Sequence, residues 1–360
     1  MRKADFSEFK VGTVFNGIEV HGDPKLKYQN LTVCYPSRLE AMALDPSKIV
    51  DNNNLIYEAG QINFCVSLHK YITVEVKQSS SEIVISDRTS RKSLVMHAAL
   101  LMQKAVGFTH GLTIDVKDEI DLRHCGLGSS SSLIAGTAAA INELYERPIA
   151  LLDLVRYCAQ NHGEEIDNSD DKLIPVQCIG GSGVCGHFEG GLIILAGQAA
   201  PIYRAHIPAD TKVVIGIPVD FDHPDSQTVM GAEVDNLEGF KKAGDQYGKD
   251  IAYRLVHEVM PGLAENNLKP CKDLIFDYRW DMGSIENCSF VYPSLLTIAE
   301  QLRPLKDDQK VDIIALSSVG PGFFALTKDI GHVEDIFVTC GLKTIVTTIS
   351  NGKYSVQING

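Results

Sequence analysis

The 360-residue chain lacks what would tie it to a membrane, a nucleic acid or an oxidising compartment. No apolar run approaches the roughly 18 to 20 residues that span a bilayer. Met1-Arg2-Lys3-Ala4-Asp5-Phe6 lacks the apolar core of a secretory leader, so an unprocessed cytoplasmic protein is expected. Basic residues are in deficit: 33 Lys and Arg against 46 Asp and Glu give a net charge of −13, which opposes general attraction to nucleic acid or anionic lipid. The nine cysteines include no CxxC pair and lie in apolar segments such as Val33-Cys34-Tyr35 and Phe64-Cys65-Val66. Reduced, buried thiols are expected instead of disulfides or a zinc site. The glycine-serine run at Gly126 to Ser132 fits neither the GxxxxGK[ST] nor the GxGxxG phosphate motif. What remains, with 44 % hydrophobic and 22 % charged residues, is a globular enzyme with one large core or two ordinary ones. Any anionic substrate must be held by local donors against a repulsive global field.

Strand-like patterning runs from Leu31 to Arg88, as in Gln61-Ile62-Asn63-Phe64-Cys65-Val66-Ser67 and the alternating Tyr71-Ile72-Thr73-Val74-Glu75-Val76. A helix is predicted over 92–107, a strand over 112–116, a helix over 151–161 and strands over 191–196 and 212–218. Beyond these, helical patterns at 249–266 and 291–302 alternate with strands at 311–316, 323–326 and 344–348. The polar, acidic stretch 163–172 reads as a surface loop, and 179–186 as a glycine-rich turn. Strands and helices mix without a strict βαβ rhythm, which predicts an α+β protein of two lobes, residues 1–205 and 206–360.

The chemistry concentrates in His124-Cys125-Gly126-Leu127-Gly128-Ser129-Ser130-Ser131-Ser132, between a strand and a helix of small residues starting near Leu133. Glycines allow close backbone approach, successive N–H groups form an anion nest, and a helix start adds favourable partial charge. Phosphate is the natural guest of Gly126, Leu127, Gly128, Ser129, Ser130, Ser131 and Ser132. Ser131 is the candidate hydroxyl ligand for a divalent ion, Mg²⁺. This segment resembles the second motif of the GHMP superfamily of galactokinase, homoserine, mevalonate and phosphomevalonate kinases. Leu316-Ser317-Ser318-Val319-Gly320-Pro321-Gly322-Phe323 is similar to that superfamily's third motif, and Tyr35-Pro36-Ser37-Arg38-Leu39 and Ala59-Gly60-Gln61-Ile62-Asn63-Phe64 both resemble its first less fully. The resemblance spans residues 31 to 330 and implies a GHMP-type two-lobed fold with mixed and antiparallel sheets flanked by helices.

Several GHMP kinases place an aspartate before the strand that corresponds to 191–196, and Gly180 to Gly191 contains none. That absence shifts the reading toward a second branch, the β-ribofuranosylaminobenzene 5′-phosphate synthases. Four segments resemble this branch: Pro36-Ser37-Arg38-Leu39, Gly183 to Gly191, Met260-Pro261-Gly262-Leu263-Ala264-Glu265 and Ser317-Ser318-Val319-Gly320-Pro321. Ser130-Ser131-Ser132 departs from it toward the kinases. The favoured expectation is therefore transfer of ribose 5-phosphate from phosphoribosyl diphosphate to an aromatic or heteroaromatic carboxylate, with Mg²⁺ and loss of diphosphate. The alternative is an ATP-dependent small-molecule kinase, and the second alternative a noncatalytic metabolite-binding relative. Substrate contacts are expected from Arg38, Gly181, Ser182, Gly183, Ser317, Ser318, Gly320 and Gly322. No catalytic residue stands out. His187 and Glu189 each have a structural reading of equal weight, a lone histidine near a strand end such as His124 is more often structural, and Asp167, Asp170 and Asp171 are weak metal candidates. Dimerisation would be common for such an enzyme.

Overall fold

β-Branched and aromatic residues at alternate positions build a seven-stranded sheet around two long strands, β2 (Asn30–Ala43) and β3 (Gln61–Lys77). The computed structural model describes residues 7–20, 22–49, 58–120, 122–167, 169–222 and 224–359. β2 and β3 pair antiparallel, with irregularities at Pro36/Ser37, where proline cannot donate to the ladder, and at Glu40/Met42. β3 continues the sheet through β5 (Gly111–Asp118) to β4 (Ile83–Ile85), and its first residues also pair with β8 (Leu192–Ala196), which pairs with β9 (Ala200–Ala205). Along β3 the burial changes character. Residues 61–66 are buried without interruption, whereas the following residues alternate. One face of the distal half meets solvent, while the proximal half is covered on both faces. The functional site lies over that doubly covered half.

Helices α1 (Lys92–Val106), α2 (Ser129–Leu144), α3 (Leu151–Gln160) and α4 (Gly181–His187) belong to this first lobe. Small residues let α2 lie close to the sheet: a Cβ on Gly136 would come within 2.6 Å of Ile72 and 3.0 Å of Tyr35. A three-stranded sheet of β1 (Phe9–Lys10), β7 (Ser169–Pro175) and β6 (Gly163–Ile166) edges the lobe.

The second lobe is a four-stranded antiparallel sheet in the order β11 (Val311–Leu316), β12 (Phe323–Thr327), β10 (Lys212–Pro218), β13 (Leu342–Thr348). Its helices are α5 (Ser226–Asp235), α6 (Leu237–Arg254), α7 (Met260–Ala264), α8 (Lys269–Phe276), α9 (Ser284–Cys288), α10 (Leu295–Leu302) and α11 (Ile330–Thr339). A π-helical turn, Leu255–Val259, joins α6 to α7, so the predicted helix at 249–266 is the end of a longer rod. β14 (Ser355–Ile358) returns the chain to the first sheet against β2. Leu39, Phe64, Cys125 and Leu127 share one core with Val213, Ile215 and Phe324, which locks the lobes together beneath the site.

Two local expectations are corrected. Residues 163–172 form most of the β6–β7 hairpin, because Glu164 and Glu165 turn inward to arginine instead of outward to water. The 179–186 segment is mostly α4, whose glycines pack against Gln61, Asn63, Val155 and Tyr35 where a larger residue would collide. All nine cysteines are free thiols.

Candidate active site

After β5 the chain turns through left-handed backbone at His124 (φ 52°), Gly126 (φ 79°) and Gly128 (φ 62°) before α2 begins at Ser129. Gly128 is the N-cap and supplies no side-chain acceptor, so the first N–H groups of α2 are left for a ligand. The glycines are required by what surrounds them. A Cβ on Gly126 would sit 2.2 Å from the Ser317 carbonyl oxygen, and one on Gly128 would sit 2.4 Å from Ser182 Oγ and 2.9 Å from Arg38 Nε. A Cβ on Gly322 would lie 2.5 Å from the Cys125 carbonyl oxygen.

Hydrogen bonds tie the same segments together. Ser317 Oγ donates to Gly126 O (2.7 Å), Arg38 Nη1 donates to the same oxygen (3.3 Å), and the hydroxyls of Ser131 and Ser182 share a bond of 2.7 Å. Four segments far apart in sequence thus meet at one place. Within this group Arg38, Gly126 to Ser131, Gly181, Ser182 and Ser318 line a cavity of about 220 Å³. Ser132, Gly183, Ser317, Gly320 and Gly322 stand behind it as supports; Ser132 Oγ, for example, donates back to Gly128 O at 2.6 Å.

Behind the serines lies a charged network that sequence reasoning missed. Arg91, at the start of α1, donates to Ser129 Oγ (2.8 Å), Ser130 Oγ (2.6 Å) and Glu165 (2.8 Å), and Ser130 Oγ donates to Glu164 at 2.6 Å. His162 Nε2 lies 3.5 Å from the other Glu164 oxygen. Burial alone would raise the Glu164 carboxyl, but the His162 hydrogen bond and the charges of Arg91, His162 and His124 overcome it and hold the group at about 2. Glu164 is therefore an anion in the folded protein. Ser131 Oγ turns instead to Ser182 and the Gly128 carbonyl, so the hydroxyl that meets a carboxylate belongs to Ser130, not Ser131. Among the described residues, no three His, Cys, Asp or Glu side chains converge on a single metal position, which removes Asp167, Asp170 and Asp171 as a ligand set.

The opposite wall also went unread. Glu40 follows Arg38 by two residues, so both point to the same face of β2, and a period of two could have found it. Asn63 pairs with Glu40 across the β2–β3 ladder, and Gln61 shares its face two residues earlier. From the second lobe, Glu233 on α5 faces the cavity, and its carboxylate has no hydrogen-bond or ion-pair partner among the described residues. Burial, with the charges of Glu40 and Glu164, pushes it up to about 7. Arg279 is committed elsewhere, donating to Ala41 O, Glu40 O, Ser318 O and Ser284 Oγ.

The remaining expectations resolve simply. His124 Nε2 shares a 3.0 Å hydrogen bond with Ser226 Oγ at the start of α5, joining the loop to the second lobe. His187 is buried beneath α4 on Gly183 O (2.8 Å) and Tyr35 OH (3.2 Å), while Glu189 is exposed.

The two-lobed fold that carries this glycine loop and cavity is shared with solved small-molecule kinases. Residues 93–171 match the family described as GHMP kinases N terminal domain. The chain is 26 % identical over 213 residues to a homoserine kinase of Methanococcus vannielii, a stretch covering 59 % of this chain and 60 % of that protein. It thus spans less than two thirds of the length of that curated relative. A homoserine kinase of Cytophaga hutchinsonii has the same fold, with a TM-score of 0.60 at 13 % identity over 92 % of this chain and 99 % of its own. The galactokinase of Lactococcus lactis, solved with galactose, superposes with a TM-score of 0.66 at 11 % identity over 93 % and 96 %. The mevalonate kinase of Methanococcus jannaschii gives 0.60 at 13 % identity over 89 % and 98 %. No described helix is long and apolar enough to cross a membrane.

Proposed function

We infer that this protein is an ATP-dependent kinase that phosphorylates a hydroxyl group of a small molecule. The observation that carries this reading is the uncapped start of α2, entered through Gly126 and Gly128 and facing the cavity, with the Ser130–Glu164 pair beside it. Backbone donors there suit the phosphates of ATP, and the free edge of Arg38 adds a cation. The likeness to homoserine, mevalonate and galactose kinases supports phosphoryl transfer and gives no support to ribosyl transfer from phosphoribosyl diphosphate, which the sequence alone favoured.

Magnesium usually keeps several waters and takes one or two protein oxygens plus substrate phosphates. The residues present fit that demand: Ser130 Oγ and the ionised Glu164 are hard oxygen donors in contact, and among the described residues no three His, Cys, Asp or Glu side chains gather as a dedicated all-protein site. When bound, the ion would neutralise charge on the phosphate oxygens. The chain's own part is to hold the phosphates on the α2 N–H groups, to keep Glu164 ionised through His162 and Arg91, and to orient the acceptor from β2, β3 and α5. The acceptor oxygen bonds to the γ-phosphorus as the bond to the β,γ-bridging oxygen breaks. That electron pair leaves with ADP, and the hydroxyl proton passes to solvent. Positioning and charge stabilisation do most of this work, in keeping with the missing aspartate between Gly180 and Gly191.

The test is a comparison of ATP with phosphoribosyl diphosphate at equal concentration, with Mg²⁺, by thermal shift. A ligand at 100 times its Kd stabilises by about 2.7 kcal/mol. A selective rise with ATP is expected. A selective rise with phosphoribosyl diphosphate would overturn the kinase reading and restore the ribosyl transferase.

A further inference from the structure

Resting on the kinase reading, we propose that Glu233, Glu40 and Gln61 form the acceptor subsite and that the acceptor is an alcohol bearing a protonated amine. The wall away from the glycine loop carries two carboxylates, Glu40 and Glu233, and an unfilled amide oxygen, Gln61 Oε1. Glu40 and Gln61 share one face of the β2–β3 ladder, with Asn63 between them, and all three are at least nine-tenths buried. Gln61 Oε1 has no hydrogen-bond partner, and neither amide atom of Asn63 has one. Facing them across the cavity, Glu233 is unpaired among the described residues, although both Glu40 and Glu164 act on it through space.

An unfilled acceptor facing a cavity calls for a donor, and Glu233, a carboxylate without a counter-ion among the described residues, calls for a positive one. Arginine of the protein fills that role for Glu40, through Arg38, but not for Glu233 among the described residues. Arg38 Nη1 is 3.5 Å from Glu40 and bonded to Gly126 O, and Arg279 donates to Glu40 only at the backbone carbonyl. Among the described residues no three His, Cys, Asp or Glu side chains gather here as a dedicated metal site. An ammonium group carries three donors on a compact charge and can satisfy Glu233 together with Gln61 or Glu40. Gly181 keeps this wall open to the cavity: a Cβ there would lie 2.5 Å from Gln61 Oε1 and 2.8 Å from Asn63 Oδ1.

The experiment pairs each amine with its neutral or deaminated twin: galactosamine with galactose, homoserine with 4-hydroxybutyrate, and 4-aminobutan-1-ol with butane-1,4-diol. Binding is read by thermal shift without nucleotide, and turnover by ADP release with Mg²⁺ and ATP. At least one amine should bind and react with kcat/KM tenfold or more above its twin. E233Q should abolish that preference while retaining the ATP-induced rise in Tm, and Q61L should weaken it. Amines no better than their twins, including no turnover of any amine, would overturn the proposal, as would a preference that survives in both variants. Loss in E233Q of stabilisation by Mg²⁺ alone would also overturn it, assigning the site to a metal. If ATP fails to bind, the kinase reading fails, while amine binding without nucleotide still reads the subsite.

Discussion

Two glycines with the same backbone angle separate the strain of a left-handed residue from the effect of close approach. Gly107 ends α1 at φ 79° with nothing within 4 Å of the position a Cβ would take, and Gly126 has the same φ with the Ser317 carbonyl oxygen 2.2 Å from that position. G107A should therefore cost only left-handed strain, about 1–2 kcal/mol. G126A adds a collision with backbone that cannot rotate away, and overpacking of this kind costs a further ~1–3 kcal/mol. The oxygen would have to retreat by roughly an ångström to reach ordinary contact distance. That movement breaks the bond from Ser317 Oγ to Gly126 O and opens the junction between the two loops. Urea unfolding followed by far-UV circular dichroism should place the G126A midpoint below that of G107A, at unchanged slope. ATP should still raise the Tm of G107A and not that of G126A. Equal midpoints, or equal ATP responses, would refute the claim that close packing against Ser317 fixes the phosphate loop.

Acid should weaken the fold in two stages. Burial lowers both His97 and His187 from 6.5 to about 4, so the unfolded chain binds more protons between those values. The stability they contribute is full above pH 6.5 and is lost as pH falls through 4, roughly 3 kcal/mol for each at 1.36 kcal/mol per unit; H97Q should flatten part of this slope in urea titrations run from pH 7 to 4. Glu164 is depressed from 4.5 to about 2, so its contribution is present above pH 4.5 and disappears toward pH 2; E164Q should flatten the slope in that lower window only. S130A leaves the Glu164 carboxylate in place and should raise the Mg²⁺ concentration needed for half-maximal turnover several-fold, with the ATP-induced Tm rise at saturating Mg²⁺ retained; an unchanged Mg²⁺ dependence would remove Ser130 from the metal position.

The parts of the fold that could be read in advance are those whose cause is local. Alternation marked β3, the run of small residues marked α2, and Gly126 to Ser132 stood out because glycines and serines before a buried helix have few other uses. The two-lobed α+β fold followed from these segments and the family resemblance. What escaped was decided by partners distant in sequence. Glu164 and Glu165 look like loop residues until Arg91, more than seventy positions earlier, is placed beside them. The glycines of α4 look like a turn until Gln61, Asn63 and Tyr35 are seen to leave no room for side chains. No periodicity in the sequence encodes such a meeting.

The same reasoning explains why the donor side of the site was easier to read than the acceptor side. A phosphate can be held by backbone N–H groups, and the need to expose backbone leaves a compositional trace in glycine. The proposed acceptor side is built by side chains converging from separate elements: Glu40 and Gln61 on paired strands, and Glu233 on a helix of the other lobe. Each is ordinary in its own segment. Only the cavity makes Glu233 informative, because a carboxylate raised to about 7 beside two others lacks a positive partner. On the proposed reading, the unpaired Glu233, more than the fold shared with kinases of different alcohols, bears on the choice of substrate.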